Sequence, residues 1–373
     1  MITYVLVLLV VLYFLQRKSL KNPLKGLSYD YTVDKKLVEV EEGFVFSSVI
    51  TNASSRFVSF VGIIEIMPKV TILTEGVKLN SNRLAKGLYH HDSTTYMHAR
   101  SQLNRSLDLA FTKRGCHVFH GGRLYAGDFL GFKEKDASFN RFETVIVYPK
   151  VINCPELGQM IGGFLGDVSV RRFIMEDPIL TIGVRPYTER EPMKQFSWKH
   201  TAKTGEMMVK QYDYTTESKI SIILDVSGEE SLAKQVSDDL YETCYSLATT
   251  VARRLDQAKM PFEFLTNAII EGHLQTQAGG SKVAHNLGKK HLQLILEKIG
   301  RGGYGAAQSY DALLQGLEDA QEKGTNQSLI IITPTKNPEK LARAKKMQEK
   351  FSGQLLMLYG EAFMTEGLAG EVS

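Results

Sequence analysis

Residues 219–229 read KISIILDVSGE, and this stretch sets the fold expected for the second half of the chain. Ile220, Ile222, Ile223 and Leu224 form a short apolar run that stops at an acid, Asp225. Such a run, followed by a helical period, reads as a strand buried on both faces. The helical period follows in Leu232, Val236, Leu240, Cys244, Leu247, Val251 and Leu255, spaced three or four apart. Phe262 to Ile270, Leu329 to Ile332 and Gln354 to Tyr359 read as further strands. Val283, Leu287, Leu294 and Ile299 mark a second helix, and Tyr310, Leu313, Leu314 and Leu317 a third. Asn337-Pro338-Glu339 opens a fourth, with Asn as N-cap and Pro at the first helical position. Strands alternating with helices over residues 219–373 predict an α/β domain with a mostly parallel sheet. Ligands of such sheets lie at the carboxyl ends of strands, where Asp225 and Thr333 stand.

The preceding residues have a different texture. Over 28–150, strand candidates recur at short spacing: Phe44 to Ile50, Phe57 to Met67, Leu107 to Phe111, Gly122 to Tyr125 and Thr144 to Tyr148. This predicts an antiparallel, sandwich-like β domain. Residues 151–218 have weak periodicity and turn signals such as Gly162-Gly163 and Asp177-Pro178, and read as an irregular connecting segment. Residues 1–25 read as a membrane anchor with a basic flank. Residues 2–15 are ITYVLVLLVVLYFL, and the cations Arg17, Lys18, Lys21 and Lys25 follow rather than precede them. That order is the reverse of a signal peptide. The positive-inside rule then predicts a single-pass protein of the cell membrane with its bulk in the cytoplasm. The fold class expected is thus α+β multidomain: membrane helix, sandwich-like domain, α/β domain.

Charge narrows the function classes. The chain carries 45 basic and 41 acidic residues, and the four cations of the first 25 residues account for the whole excess of +4. A neutral remainder lacks the basic footprint of a nucleic-acid binder. The three cysteines are too few for a disulfide framework and have no metal-type spacing.

Asp225-Val226-Ser227-Gly228-Glu229 is the sharpest local feature. A strand-end Asp with Ser two residues on offers hard oxygens to a divalent cation. The plainer reading is that Asp225 caps the turn that follows. No cofactor is expected; Mg²⁺ or Mn²⁺ is the ion that Asp225 and Ser227 suit, and the ligand set is incomplete. GRGGYG (300–305) lacks the P-loop pattern and reads as a flexible connection. His90, His91, His98, His117 and His120 lack a metal-site pattern and read as surface residues. No complete catalytic constellation is present. Residues 183–212 are dense in Arg, Lys and aromatics and hold the single Trp. Arg185, Tyr187, Trp198 and Lys203 are read there as interaction or interdomain-bracing residues.

A series of motifs carries a family resemblance. They are Lys113-Arg114-Gly115, Gly127-Asp128-Phe129-Leu130-Gly131-Phe132, Val147-Tyr148-Pro149, Gly183-Val184-Arg185-Pro186-Tyr187, Trp198-Lys199, residues 201–206 (TAKTGE) and Asp225-Val226-Ser227. In this order the chain resembles the domain of unknown function 58 family, bacterial and archaeal proteins with a von Willebrand A-like domain. Two departures stand out: Arg190-Glu191 replaces the usual Gly-Asp, and Glu229 replaces the last Ser of the Asp-x-Ser-x-Ser metal loop. The resemblance implies an interaction protein rather than an enzyme. It would be a membrane-anchored, cytoplasm-facing binding or scaffold protein, partner of a MoxR-type AAA+ ATPase in protein assembly or maturation, with an unknown client protein. Two alternatives stay open: a metal-dependent hydrolase using Asp225 and Glu229, and an extracytoplasmic envelope or adhesion protein.

Overall fold

The computed structural model describes residues 4, 6–7, 10–11, 13, 24–74, 80–81, 88–127, 134–172, 181–188, 191–212, 219–227, 237–272, 280–320 and 326–364. The chain divides into two compact units, Met1–Pro149 and Lys150–Ser373.

The described residues of the first unit form three sheets. One is four-stranded and antiparallel, in the order β1 (Leu27–Val33), β3 (Phe44–Asn52), β8 (Ser101–Ala110), β5 (Thr71–Ile72). The second, five-stranded and antiparallel, runs β11 (Glu134–Phe139), β10 (Gly121–Gly127), β4 (Val58–Pro68), β7 (Leu88–Met97), β6 (Asn80–Ser81). A third joins β2 (Leu37–Glu39), β12 (Glu143–Tyr148) and β9 (Gly115–Phe119). Strict alternation in β3, FVFSSVITN, buries Phe44, Phe46, Ser48, Ile50 and Asn52. Its apolar members meet Ile63 and Met67 of β4 in one core. Period-two patterning of this kind sends one face of a strand inward and the other to water.

One inward residue of β4 is an acid. Glu65 is fully buried between Ile63 and Met67. Its carboxylate meets Arg105 Nη2 at 2.8 Å, His91 Nδ1 at 2.9 Å and the Tyr29 hydroxyl at 3.2 Å. These partners come from β8, β7 and β1, so Glu65 ties the two large sheets together. His91 is therefore buried, not one of the surface histidines expected from the sequence.

The second unit holds a five-stranded sheet in the order β18 (Ser281–Asn286), β16 (Phe262–Thr266), β15 (Lys219–Leu224), β20 (Gln327–Thr333), β21 (Ser352–Tyr359). The pairs β16–β15, β15–β20 and β20–β21 are parallel, and β18 is antiparallel to β16. Ile220, Ile222 and Leu224 pack on α1 (Pro155–Arg172), α3 (Asp238–Gln257) and α4 (Lys289–Arg301). Ile223 and Ile331 point the other way, onto α5 (Tyr310–Asp319) and α6 (Pro338–Phe351). The unit also contains a ribbon of β13 (Thr181–Pro186) and β14 (Met208–Tyr212) with the short helix α2 (Trp198–Thr204). A second ribbon pairs β17 (Ala268–Ile270) with β19 (Gly302–Ala306), and a last turn of helix, α7, covers Gly360–Phe363.

Several expectations are corrected. Among the described residues no helix is long and apolar enough to cross a membrane. The fourteen residues 2–15 would give ~21 Å of helix against ~30 Å of hydrocarbon. The anchor over residues 2–15 and the single-pass cell-membrane placement built on it therefore do not stand; most of that stretch lies outside the described residues. The expected fold class falls with them. Antiparallel pairing prevails across the described residues; in the sheet of the second unit three of the four strand pairs are parallel and the edge strand β18 is antiparallel. Val283, read as helical, lies in the antiparallel edge strand β18. The segment 151–218 contains a regular helix where glycines had suggested turns. Leu157, Ile161, Phe164 and Val168 of α1 recur every three or four residues and are buried. Their burial outweighs the ~1 kcal/mol that each interior glycine costs. The glycine run at 300–305 includes most of β19 instead of a flexible link.

Gly353 of β21 gives a test of this packing. A Cβ there would lie 2.0 Å from the Gln327 carbonyl oxygen. Gly353→Ala is expected to destabilise the second unit by about 1–3 kcal/mol, the cost of forcing backbone apart, with the midpoint of urea unfolding as the readout.

Candidate functional site

The chain leaves β15, forms β16 on one side of it, and later returns to β20 on the other. Reversal of this kind opens a crevice beyond the carboxyl ends of the two strands. Asp225 sits there with no solvent exposure, its N–H donating to the Ile332 carbonyl at 2.9 Å. Its Oδ1 accepts from Asn267 Nδ2 at 2.6 Å, the Ser227 N–H at 2.9 Å and the Ser227 hydroxyl. Its Oδ2 pairs with the ammonium of Lys340 at 2.6 Å. Lys340 Nζ also donates to the Ser227 carbonyl at 3.0 Å and lies 3.2 Å from Ser227 Oγ.

Lys340 is the third residue of α6. Asn337 caps that helix, its Oδ1 accepting from the Glu339 and Lys340 N–H groups. A cation in the first turn opposes the helix dipole. The ion pair with Asp225 offsets that cost and fixes the side chain, which is only 15 % exposed.

Beside the pair opens a cavity of 620 Å³, lined by Ser227, Tyr241, Tyr304, Ser309, Tyr310 and Lys340 among others. This is within the size range of small-ligand clefts. The Tyr241 and Tyr304 rings stack at 5.8 Å, and the Tyr304 hydroxyl donates to Glu242 at 2.6 Å. Lys340 Nζ lies 5.5 Å from the centre of the Tyr310 ring. Burial, then the nearby Asp225 charge, pushes the phenols of Tyr241 and Tyr310 upward. The same two causes raise the Cys244 thiol to about 12. These groups stay protonated near neutrality and are not nucleophiles. An ammonium paired with Asp225 has no lone pair with which to take a proton from Ser227.

Among the described residues the crevice offers a divalent cation no free set of ligands. Asp225 Oδ2, Ser227 Oγ and the Ser227 carbonyl, the oxygens such an ion would use, already surround one lysine nitrogen. Among the described residues no three His, Cys, Asp or Glu side chains gather to hold a metal. Glu229, the further ligand or hydrolytic residue considered from the sequence, lies outside the described residues. Thr333 is buried, and its hydroxyl donates to the Thr335 carbonyl at 3.1 Å.

Of the other candidate residues, Arg185 is on β13, Tyr187 follows it, and Trp198 and Lys203 are on α2. Arg185 pairs with Glu191 at 2.5 Å, and Thr188 donates to the same carboxylate from both its hydroxyl and its N–H. The Thr188 hydroxyl, then Arg185, holds Glu191 well below the usual carboxylate range. Phe196 lies between Tyr187, tilted against it at 4.9 Å, and Trp198, stacked on it at 5.5 Å. Trp198 is 60 % exposed. Lys203, in the last turn of α2, is exposed. Tyr187 and Trp198 thus share Phe196 as a neighbour, Arg185 on β13 pairs with Glu191, and Asp225 and Ser227 belong to the crevice. Sequence reading missed Lys340, Asn267 and the tyrosines. The one available signal was a lysine placed against the helix dipole just after Asn-Pro.

No family model matches the chain. A relative from Bacillus subtilis, the uncharacterized protein YeaD, is 24 % identical over 141 residues, which is 37 % of this chain and 35 % of that protein. The chain thus spans only about a third of that relative's length. Among solved structures, the cohesin module of a family 33 glycoside hydrolase from Clostridium perfringens is 12 % identical. That match covers 33 % of this chain and 98 % of the module, with a TM-score of 0.24. The CARDB domain of PF1109 from Pyrococcus furiosus, in complex with di-metal ions, is 9 % identical over 32 % of this chain and 93 % of that domain, with a TM-score of 0.21.

Proposed function

We propose that this chain is a binding or scaffold protein whose second unit docks a protein partner at the crevice over the ends of β15 and β20. The observation that carries this reading is the closed contact set at Asp225. Both carboxylate oxygens are taken by internal donors, so no free base or nucleophile is offered there. Next to it lies a cavity faced by tyrosines, one of them, Tyr304, 41 % exposed. Tyrosine gives large contact area at low entropic cost, which suits recognition better than turnover. The metal-dependent hydrolase alternative draws no support from an aspartate already neutralised by lysine.

The motif series from Lys113 to Ser227 supports a sharper form, membership of the domain of unknown function 58 family. The partner is then a MoxR-type AAA+ ATPase, and a client protein completes the assembly. The test is co-expression of the full chain with a MoxR-type ATPase, followed by affinity capture. Wild type is expected to retain the ATPase and Tyr304→Ala to lose it. Failure of the wild type to retain any such ATPase overturns the partner. Undiminished capture by Tyr304→Ala, with loss in Trp198→Ala, moves the contact to the ribbon.

A further inference from the structure

We propose that Lys340 is the resident cation of this site, occupying the seat a divalent ion would take, so that the crevice works without metal. Three oxygens of two residues converge on its nitrogen at 2.6, 3.0 and 3.2 Å. Two of them, the Asp225 carboxylate and the Ser227 hydroxyl, are the hard donors that suggest Mg²⁺ or Mn²⁺ in the sequence. A buried carboxylate needs a positive partner. Here that partner is tethered by a peptide chain, arrives as soon as α6 packs, and cannot be removed by a chelator. The placement is also selective. A first-turn lysine is disfavoured by the helix dipole, yet this one points back over the Tyr310 ring to the fully buried Asp225 carboxylate at the carboxyl end of the central strand β15. All three of its N–H donors have acceptors within the molecule.

Removing the ammonium should therefore expose a cation seat. For the docking reading on which its use rests, this means partner capture that is independent of divalent ions. The experiment uses the free full-length chain, so its outcome is separate from whether an ATPase binds. Mg²⁺ and Mn²⁺ are titrated calorimetrically, and thermal melts are recorded with Mn²⁺ and with EDTA. Wild type is expected to give no binding heat and the same melting temperature in both. Lys340→Ala is expected to melt about 3 °C higher in Mn²⁺ than in EDTA, the shift for an ion about tenfold above its Kd. The double variant Asp225→Asn with Lys340→Ala is expected to lose that response. Lys340→Met, which keeps the stem over Tyr310, takes the same measurements if the alanine variant does not fold. Metal binding by wild type that disappears in Asp225→Asn overturns the proposal. So does the absence of any Mn²⁺ response in both Lys340 variants.

Discussion

Asp225→Ala is expected to destabilise the second unit by about 3–5 kcal/mol, the cost of removing one partner from a buried ion pair. The physical source is what remains behind. Lys340 keeps its charge in a side chain only 15 % exposed, and Asn267 Nδ2 and the Ser227 N–H lose the oxygen they share. Buried donors left unmatched cost more than the net worth of the bonds they made. The Lys340→Met background separates this from a simple cavity effect. If the charge pair is responsible, Asp225→Ala costs clearly less in that background; equal costs in the two backgrounds would falsify the assignment. Amide hydrogen exchange of β15 and β20 reads the change where it arises.

In the first unit, Glu65→Gln is expected to cost about 3–5 kcal/mol at neutral pH, through the same mechanism in a different core. Burial by itself pushes the Glu65 carboxyl up, but the hydrogen bond from His91 and the charge of Arg105 outweigh it and leave the group below its ordinary 4.5. A carboxylate lowered on folding binds fewer protons in the folded than in the unfolded chain. Its contribution is complete above pH 4.5 and is lost as pH falls through the lower, folded value. The difference between wild type and Glu65→Gln should therefore shrink steadily in acid below that point. Hydrogen exchange of the β4 and β8 amides, compared at neutral pH and in acid, measures it. A pH-independent gap would point to lost shape complementarity instead of lost charge.

The strands legible in the sequence are those whose own residues decide their state. Ile220 to Leu224 and Leu329 to Ile332 are apolar on both faces, and a run of that kind finds its lowest free energy in the middle of a sheet. In β3 the period of two is equally local. Local rules also place the start of α6, where Asn337 caps and Pro338 begins the helix. Helix α1 was not legible. Its glycines argue locally for turns, and only the core that receives Leu157, Ile161 and Phe164 settles the matter. Edge strand β18, SKVAHN, is polar at most positions, and among the described residues one side of its ladder has no neighbour. Glu65 did leave a signal, an acid inside GIIEIM, but nothing in that string names His91 or Arg105 as its partners.

The candidate site divides the same way. The sequence by itself determined that an acid ends β15 and that a serine follows two residues on, since strand termination and turn formation are short-range matters. It also determined that Arg185, Tyr187 and Trp198 lie close along the chain. Only the tertiary structure decided what Asp225 does. Its partner Lys340 is 115 residues away, brought in by the crossover that lays β20 beside β15 and starts α6 at their carboxyl ends. A carboxylate's role as metal ligand, base or ion-pair anchor depends on which charge reaches it first. That charge arrives through chain folding, which no local string of residues encodes.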